Sequence, residues 1–391
     1  MTTDAVPTLV IGGGFAGVEA AIQLRKAGLE VTLLSDRDFI LINPITIWVP
    51  TGELPLEEAT LPLSHLAQAH GFQVVKARVE RVEAATHTVH TDQGPMSYQH
   101  LVVALGGSKL RPKGIEHTRS VCGGPDELEE LRVRLQALVE KGEGRIAMGF
   151  GGNPKDPSAM RGGPVFELLF NINTMLRRRG IRDRFELTFF APMARPGQRM
   201  GEGALEMMET MFKRYGIHKR VGVPIAGFDE GGVDFADGTR LEADLVHFTP
   251  GLQGHPALKN SDLPLSEAGF VQIDEHCQVQ GTPDVWAVGD TAALDGPNYR
   301  AKQGHVAEVM GRVAAANIAA AVAGKADRES YIEHVGILCV MDTGDGAAWV
   351  QRDEHSERMV PMPVYGHWVK KAWGAYWKLS RQSKVPRIPG M

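Results

Sequence analysis

An α/β protein is what this sequence predicts: one parallel-sheet domain interrupted by a second, followed by a C-terminal segment with an amphipathic helix. Three observations predict it. Leu9-Val10-Ile11 is an apolar run that meets Gly12, Gly14 and Gly17 in the spacing G-x-G-x-x-G. A second block of alternating strand and helix patterns reaches its own glycine-rich turn at Gly149 to Asn153. The run from Gly281 to Asp290 then returns to a strand pattern that ends in Gly289-Asp290 and completes the first domain. Both domains are expected to be Rossmann-like. Residues 1-110 and 250-325 form the discontinuous first domain, residues 111-249 the second, and residues 326-391 the C-terminal segment.

In the first motif, Gly12 permits the tight turn, Gly14 lets a pyrophosphate approach the backbone, and Gly17 lets the following helix pack on the strand. That helix is expected over about residues 16–27, its N-terminal amides aimed at phosphate. Gly28 supplies the stop, and a strand over 30–34 ends at Ser35-Asp36. Asp36 lies about 20 residues beyond the glycines, where a carboxylate holds an adenosine ribose. Phe39 to Pro44 and Ile45 to Gly52 are apolar and broken by proline, which suits a loop crossing a flat apolar ligand, with Pro44 among its contacts. A helix over 63–70 and short strands over 73–81, 88–91 and 96–98 read as a β-meander inserted after the second strand. Leu101 to Leu105 is a buried strand running into Gly106-Gly107, after which 109–114 reads as a crossover linker.

The second block opens with a helix over 125–140 and a strand over 144–148. A pyridine nucleotide site would want its glycines to lead straight into a helix. Here Asn153-Pro154-Lys155-Asp156-Pro157 intervenes, and the helix pattern starts only at Pro164, with Glu167 in its first turns. Proline removes N–H donors and forces the chain extended, so NADH is not the expected ligand of this turn. Strands over 186–190, 225–228, 232–235 and 244–248 and a helix over 205–215 complete the block. Val285 to Val288 then delivers Gly289-Asp290, with a helix starting near Lys302. A carboxylate at a strand end beside a helix N-terminus accepts hydrogen bonds from a ribityl chain. Asp290 and the first motif together point to FAD.

Composition narrows the classes. A chain of 391 residues, 43% hydrophobic and 23% charged, has the balance of a globular protein with two or three domains. A net charge of -5 gives no reason to expect nucleic acid as a partner. The glycine motif starts about ten residues after Met1, which leaves no room for a secretory leader and implies a cytoplasmic protein. No apolar run approaches the ~18 residues of a spanning helix. Three cysteines, Cys122, Cys277 and Cys339, are too far apart for a disulfide framework or a zinc site, and the histidines have no metal-ligand spacing. The sequence leaves self-association open.

The last segment departs from this balance. From Tyr365 to Met391 it holds Lys370, Lys371, Lys378, Arg381, Lys384 and Arg387 and no acidic residue. At 3.6 residues per turn, Tyr365, Trp368, Val369, Ala372, Trp373, Tyr376 and Leu379 share one face, and Lys370, Lys371, Lys378 and Arg381 the opposite one. An aromatic face with a basic back is the pattern of a helix lying among lipid headgroups. Gly374 within it costs roughly 1 kcal/mol against alanine, so the helix is expected to be ordered by a surface.

These residues resemble the two-dinucleotide-domain flavoproteins, and more narrowly the group of sulfide:quinone oxidoreductase, flavocytochrome c sulfide dehydrogenase and type II NADH dehydrogenase. The resemblance covers most of the chain and rests on Gly12 to Gly17, Leu34 to Phe39, Ala104 to Gly107 and Val288 to Asp290. Ser120 to Pro125, Gly163 to Glu167, Pro250 to Gly254, Ala301 to Gly304 and Leu338 to Met341 are similar to the sulfide-oxidising branch. That branch implies a membrane-associated enzyme on the inner face of the cell membrane, moving two electrons from a small sulfur species to a quinone. It also implies Cys339 as nucleophile, with Lys302 stabilising its thiolate and the anionic reduced flavin. In that branch the partner of Cys339 sits just before G-P-x-x-E, where this chain has Met160-Arg161. The sulfur chemistry is therefore expected to run through Cys339 alone. The alternatives are an NADH:quinone oxidoreductase and a flavin-bearing electron-transfer subunit of a complex.

Overall fold

The computed structural model describes residues 6–388, so residues 1–5 and 389–391 of the outer segments lie outside the described residues. The apolar run Val6–Ile11 is the centre of a seven-stranded sheet. It pairs in parallel with Val31–Ser35 on one side and with Gly94–Val103 on the other, and Gln73–Lys76 extends the first edge. The central strands are buried on both faces: Leu9, Val10, Ile11, Leu33, Leu101 and Val102 are fully buried, and Thr8 is enclosed with them.

Gly94–Val103 serves two structures. Its first residues pair antiparallel with Thr88–Thr91, which pairs with Val79–Glu83, so the inserted meander is present. Its last residues pair in parallel with Val285–Ala287, where the chain returns. The strands read separately over 96–98 and 101–105 are thus one continuous strand, and 73–81 divides into Gln73–Lys76 and Val79–Glu83.

Between these passages lies a four-stranded parallel sheet in the order His218–Val221, Phe185–Ala191, Gly144–Phe150, Leu245–Thr249. Helices Pro125–Lys141, Gly163–Arg178 and Glu202–Tyr215 belong to this block, and a stacked set of Phe150, Phe166, Phe189 and Phe212 fills its core. The chain crosses between sheets through Gly107–Lys109 and Leu252–Gly254, which pair antiparallel. Only Lys109 of these falls in the stretch read as a crossover linker. The division at residues 110, 249 and 325 is a proposal that this arrangement supports.

The C-terminal segment is a three-stranded antiparallel sheet, Ile337–Asp342, Gly346–Arg352 and Glu357–Pro363, followed by the helix Tyr365–Arg381. The helix is where expected and its aromatic face is open, but Lys370 and Arg381 of the basic face are turned into the protein instead of towards lipid headgroups. Lys370 and Arg381 are 5% and 1% exposed, while Tyr365, Trp368 and Val369 are 55%, 65% and 43% exposed. Buried carboxylates draw the basic face inward: Glu167 pairs with Lys370, and Glu19 and Glu308 with Arg381. The helix is also ordered by the protein itself. At Gly374 an added Cβ would come within 2.8 Å of Ile45, so the missing side chain permits the close approach. Among the described residues no helix is long and apolar enough to cross a membrane.

Candidate functional site

The first glycine turn has the geometry of a phosphate cradle. Gly12 has φ +113°, and a Cβ there would lie 2.2 Å from the Ala104 carbonyl oxygen. At Gly17 a Cβ would lie 1.9 Å from the Gly12 oxygen, so this glycine brings the helix Phe15–Lys26 against the strand. Gly14 is different: a Cβ would meet nothing within 4 Å, which leaves its backbone facing open space. No side chain caps the helix at Gly14, so the amides of its first turn are left for an anion. Ser35 is buried at the end of its strand, and the exposed Asp36 stands next to it.

The strand ends across the sheet converge on the same opening. Gly106, with φ +72°, also has open space before it, and its N–H donates to Thr291 Oγ1 at 2.7 Å. Gly289, with φ +66°, is required because a Cβ would lie 2.9 Å from that of Ala16. Asp290 follows it, mostly buried and paired with Arg161. The segment Asn43–Trp48 holding Pro44, expected as a loop, is a 3-10 helix whose Thr46 hydroxyl donates to the carbonyls of Asn43 and Val121. The open cradle at Gly14 and Gly106, a helix start free of side-chain caps and a buried strand-end carboxylate fit the phosphates and ribityl chain of FAD.

The candidate catalytic residues fall into separate places. Lys302 is buried, with its Nζ 3.8 Å from the Phe270 ring centroid and donating to the Ala292 carbonyl. Burial brings its ammonium down to about 7, against the pull of Asp156. Cys339 lies on Ile337–Asp342, and burial pushes its thiol up to about 12, with the Glu167 carboxylate adding to the rise and Lys370 opposing it. Lys302 is not among the groups acting on this thiol. The depressed thiol expected beside Lys302 is not what burial produces: the shift is upward, and the cation opposing it is Lys370. Burial likewise raises Cys122, opposed by Arg161 and Lys109, and raises Cys277, which is fully enclosed. All three are free thiols. No group of three metal-ligating side chains occurs among the described residues.

Sequence reasoning missed the polar network behind Cys339. Burial raises Glu167, which is paired with Lys370 and accepts the Asp342 N–H at 2.9 Å. Asp342 in turn accepts from Trp48 Nε1 at 2.6 Å and from His367 Nδ1 at 3.0 Å, and His367 Nε2 donates to Glu53 at 2.6 Å. The members come from five separate stretches of chain, and no local motif joins them. Thr291 and the contact of Arg161 with Asp290 were also missed. The only signal for Arg161 was its place where a second cysteine was expected.

The second glycine turn is diverted. Its strand ends at Phe150 and its helix begins at Gly163, and the chain between them is packed. Ser158 and Ala159 are fully buried. The Arg199 guanidinium donates to the carbonyls of Pro157 at 3.1 Å, Met160 at 2.8 Å and Arg300 at 3.0 Å. The N–H of Leu252 donates to Ala159 at 2.9 Å.

An NADH dehydrogenase-like protein of Mycobacterium tuberculosis is 27% identical over 330 residues, 79% of each chain. A type II NADH:quinone oxidoreductase of Staphylococcus saprophyticus is 21% identical, covering 90% of this chain and 91% of its own. Among solved structures, the sulfide:quinone oxidoreductase of Aquifex aeolicus superposes with a TM-score of 0.86 at 23% identity, covering 97% of this chain and 92% of that one. NDH2 of Plasmodium falciparum in complex with NADH gives 0.78 at 12% identity, covering 97% and 96%. These likenesses show the two-domain flavoprotein fold. Residues 6–320, most of the chain, match the family of pyridine nucleotide-disulphide oxidoreductases, and the protein belongs to that family.

Proposed function

We propose that this protein is an FAD-dependent, membrane-associated oxidoreductase that takes two electrons from sulfide or a related small sulfur species and gives them to a quinone. FAD supplies the two-electron carrier between donor and acceptor. Gly12, Gly14 and Gly17 would hold its pyrophosphate, Ser35 and Asp36 its ribose, and Gly106, Gly289 and Asp290 its ribityl side, with Pro44 over the ring system. The half-reactions balance: two hydrosulfide ions lose two electrons and one proton to give a hydrogen disulfide ion, and the quinone takes up two electrons and two protons. Cys339 is proposed as the thiol that receives sulfur, with a second sulfide resolving the product because Met160-Arg161 offers no partner thiol. Lys370 is the cation placed to stabilise its thiolate. Lys302, neutralised in part by burial, is proposed to answer negative charge on the reduced cofactor. The exposed Tyr365, Trp368, Val369 and Leu379 support a seat on a membrane, where a lipid-soluble quinone arrives.

The observation that carries the sulfur donor over NADH is the diverted second turn, which sets twelve residues, 151–162, between strand and helix where a pyrophosphate would need a helix N-terminus. A second reading, NADH:quinone oxidoreduction, is favoured by what the mycobacterial and staphylococcal relatives are named for. Anaerobic bleaching of the flavin separates them. Sulfide is expected to bleach the wild type, NADH to leave it yellow, and Cys339→Ser to lose at least about a hundredfold in the sulfide rate, the scale of a lost nucleophile. Bleaching by NADH and not by sulfide would put the second reading in place of the first.

A further inference from the structure

The charged side chains behind Cys339 are ordered by depth. Glu53 is a quarter exposed, and its Oε1 is 2.6 Å from both Lys371 Nζ and His367 Nε2. His367 is nearly enclosed, with 5% of its side chain exposed, and Asp342 beyond it is fully buried. The imidazole places Nδ1 at 3.0 and 3.1 Å from the two carboxylate oxygens of Asp342. Inward again, the Asp342 amide is bonded to Glu167, which is paired with Lys370. A row of titratable side chains thus runs from solvent at Glu53 through His367 to the buried Asp342 carboxylate, and only the Asp342 backbone N–H reaches Glu167.

An imidazole with a carboxylate on each nitrogen is built for more than holding a helix down. One ring nitrogen releases a proton while the other accepts one, and the ring need not move. Trp48 and Trp368 pack edge-on against the ring, with centroids at 5.5 and 5.7 Å, and limit its rotation. The proposed reaction requires such a route. Two hydrosulfide ions, one quinone and one proton give one hydrogen disulfide ion and one hydroquinone, so at least one proton per turnover enters from solvent even when the donor's own proton is retained.

We propose that Glu53 and His367 form the proton inlet of the acceptor half-reaction, feeding the buried Asp342 carboxylate. The inlet rests on the quinone-reducing reading above. His367 passes its Nδ1 proton to the Asp342 carboxylate, which gives it up towards the acceptor, and takes another at Nε2 from Glu53, which exchanges with water. His367 is a positioning and relay residue, without contact with quinone or flavin.

The experiment uses the flavin-loaded full chain, reduced anaerobically with dithionite and mixed in stopped flow with either a short-chain quinone or ferricyanide. Ferricyanide takes electrons and needs no proton. His367→Gln keeps a hydrogen-bonding side chain of similar reach but relays nothing. It is expected to slow reoxidation by quinone at least about tenfold, on the scale of a lost proton-transfer group. Reoxidation by ferricyanide should be unchanged, and added imidazole should restore most of the quinone rate. Glu53→Gln, at the rim, should slow the quinone reaction in the same selective way and serves if His367→Gln fails to fold. An unchanged quinone rate in both variants would overturn the inlet, as would equal slowing with both acceptors and no rescue. Wild-type protein that ferricyanide reoxidises and quinone does not would reject the quinone reading itself, and the inlet with it.

Discussion

His367 carries the clearest consequence at the scale of one residue. Burial works against its charge, yet the hydrogen bonds to Asp342 and Glu53 overcome that cost and raise it to about 9. The folded value is above the unfolded one of about 6.5, so the imidazolium's contribution is complete below about pH 6.5 and is lost as the pH rises through 9. The groups facing it are Asp342 on its strand, Glu53 after the Asn43–Trp48 segment, and Lys371 of its own helix acting through Glu53. The swing in stability is expected to reach roughly 3 kcal/mol for this ion cluster. Denaturant titration of the wild type should show the loss between pH 6.5 and 9.5, and His367→Gln should flatten that dependence. An equal loss in both would place the alkaline transition elsewhere.

At the scale of elements, the C-terminal helix teaches what a periodic pattern determines and what it leaves open. The 3.6-residue spacing separates the aromatic from the basic stripe correctly, and the helix limits follow. Which stripe faces inward depends on Glu19, Glu167 and Glu308, carried by three other helices and far away in sequence. Arg381 is 1% exposed and links two of them: Nη2 donates to Glu308 at 2.6 Å, and Nε lies 3.4 Å from Glu19. Burial raises Glu308 in spite of Arg381, whereas at Glu19 the pull of Arg387 and Arg381 outweighs burial. Arg381→Met should cost about 3–5 kcal/mol, because it leaves two buried carboxylates facing each other with one cation fewer. Adding Glu308→Gln should recover part of that loss, as denaturation midpoints would reveal. A mild effect in the single variant would show that Arg387 alone balances both acids. The glycine turn was legible for the opposite reason: its geometry is local, and so is its signature. His218–Val221 and Arg240–Glu242 went unread because they are short, polar edge pieces whose strand state comes from the neighbouring strand rather than their own pattern.

At the scale of the whole molecule, the C-terminal segment binds both nucleotide-fold blocks at once. Lys370 reaches Glu167 of the second block, Arg381 reaches the two helices of the first, and Trp377 Nε1 donates to Glu308 at 2.9 Å. Ending the chain before Tyr365 would therefore strip cations from three buried carboxylates, and the loss of membrane binding could not be separated from the loss of the fold. Substitution on the outer face separates them. Val364, Tyr365, Trp368, Val369 and Leu379 are 74%, 55%, 65%, 43% and 39% exposed, and of these Trp368 also packs on the buried His367 ring. Four of the six basic side chains that would have drawn the helix to anionic lipid are engaged elsewhere: Lys370 and Arg381 inside, Lys371 on Glu53 and Arg387 on Glu19, while Lys378 donates to the Glu58 carbonyl. Membrane binding is thus expected to depend on apolar insertion more than on lipid charge. Val369→Ser with Leu379→Ser should weaken vesicle binding at least about tenfold, from the ~1.5–3 kcal/mol that burying one large apolar side chain supplies. Stability and flavin content should stay unchanged. Sedimentation with zwitterionic vesicles should nearly match that with anionic ones, and salt should have little effect. Binding that vanishes without anionic lipid, or that survives the double substitution, would remove this face as the membrane seat.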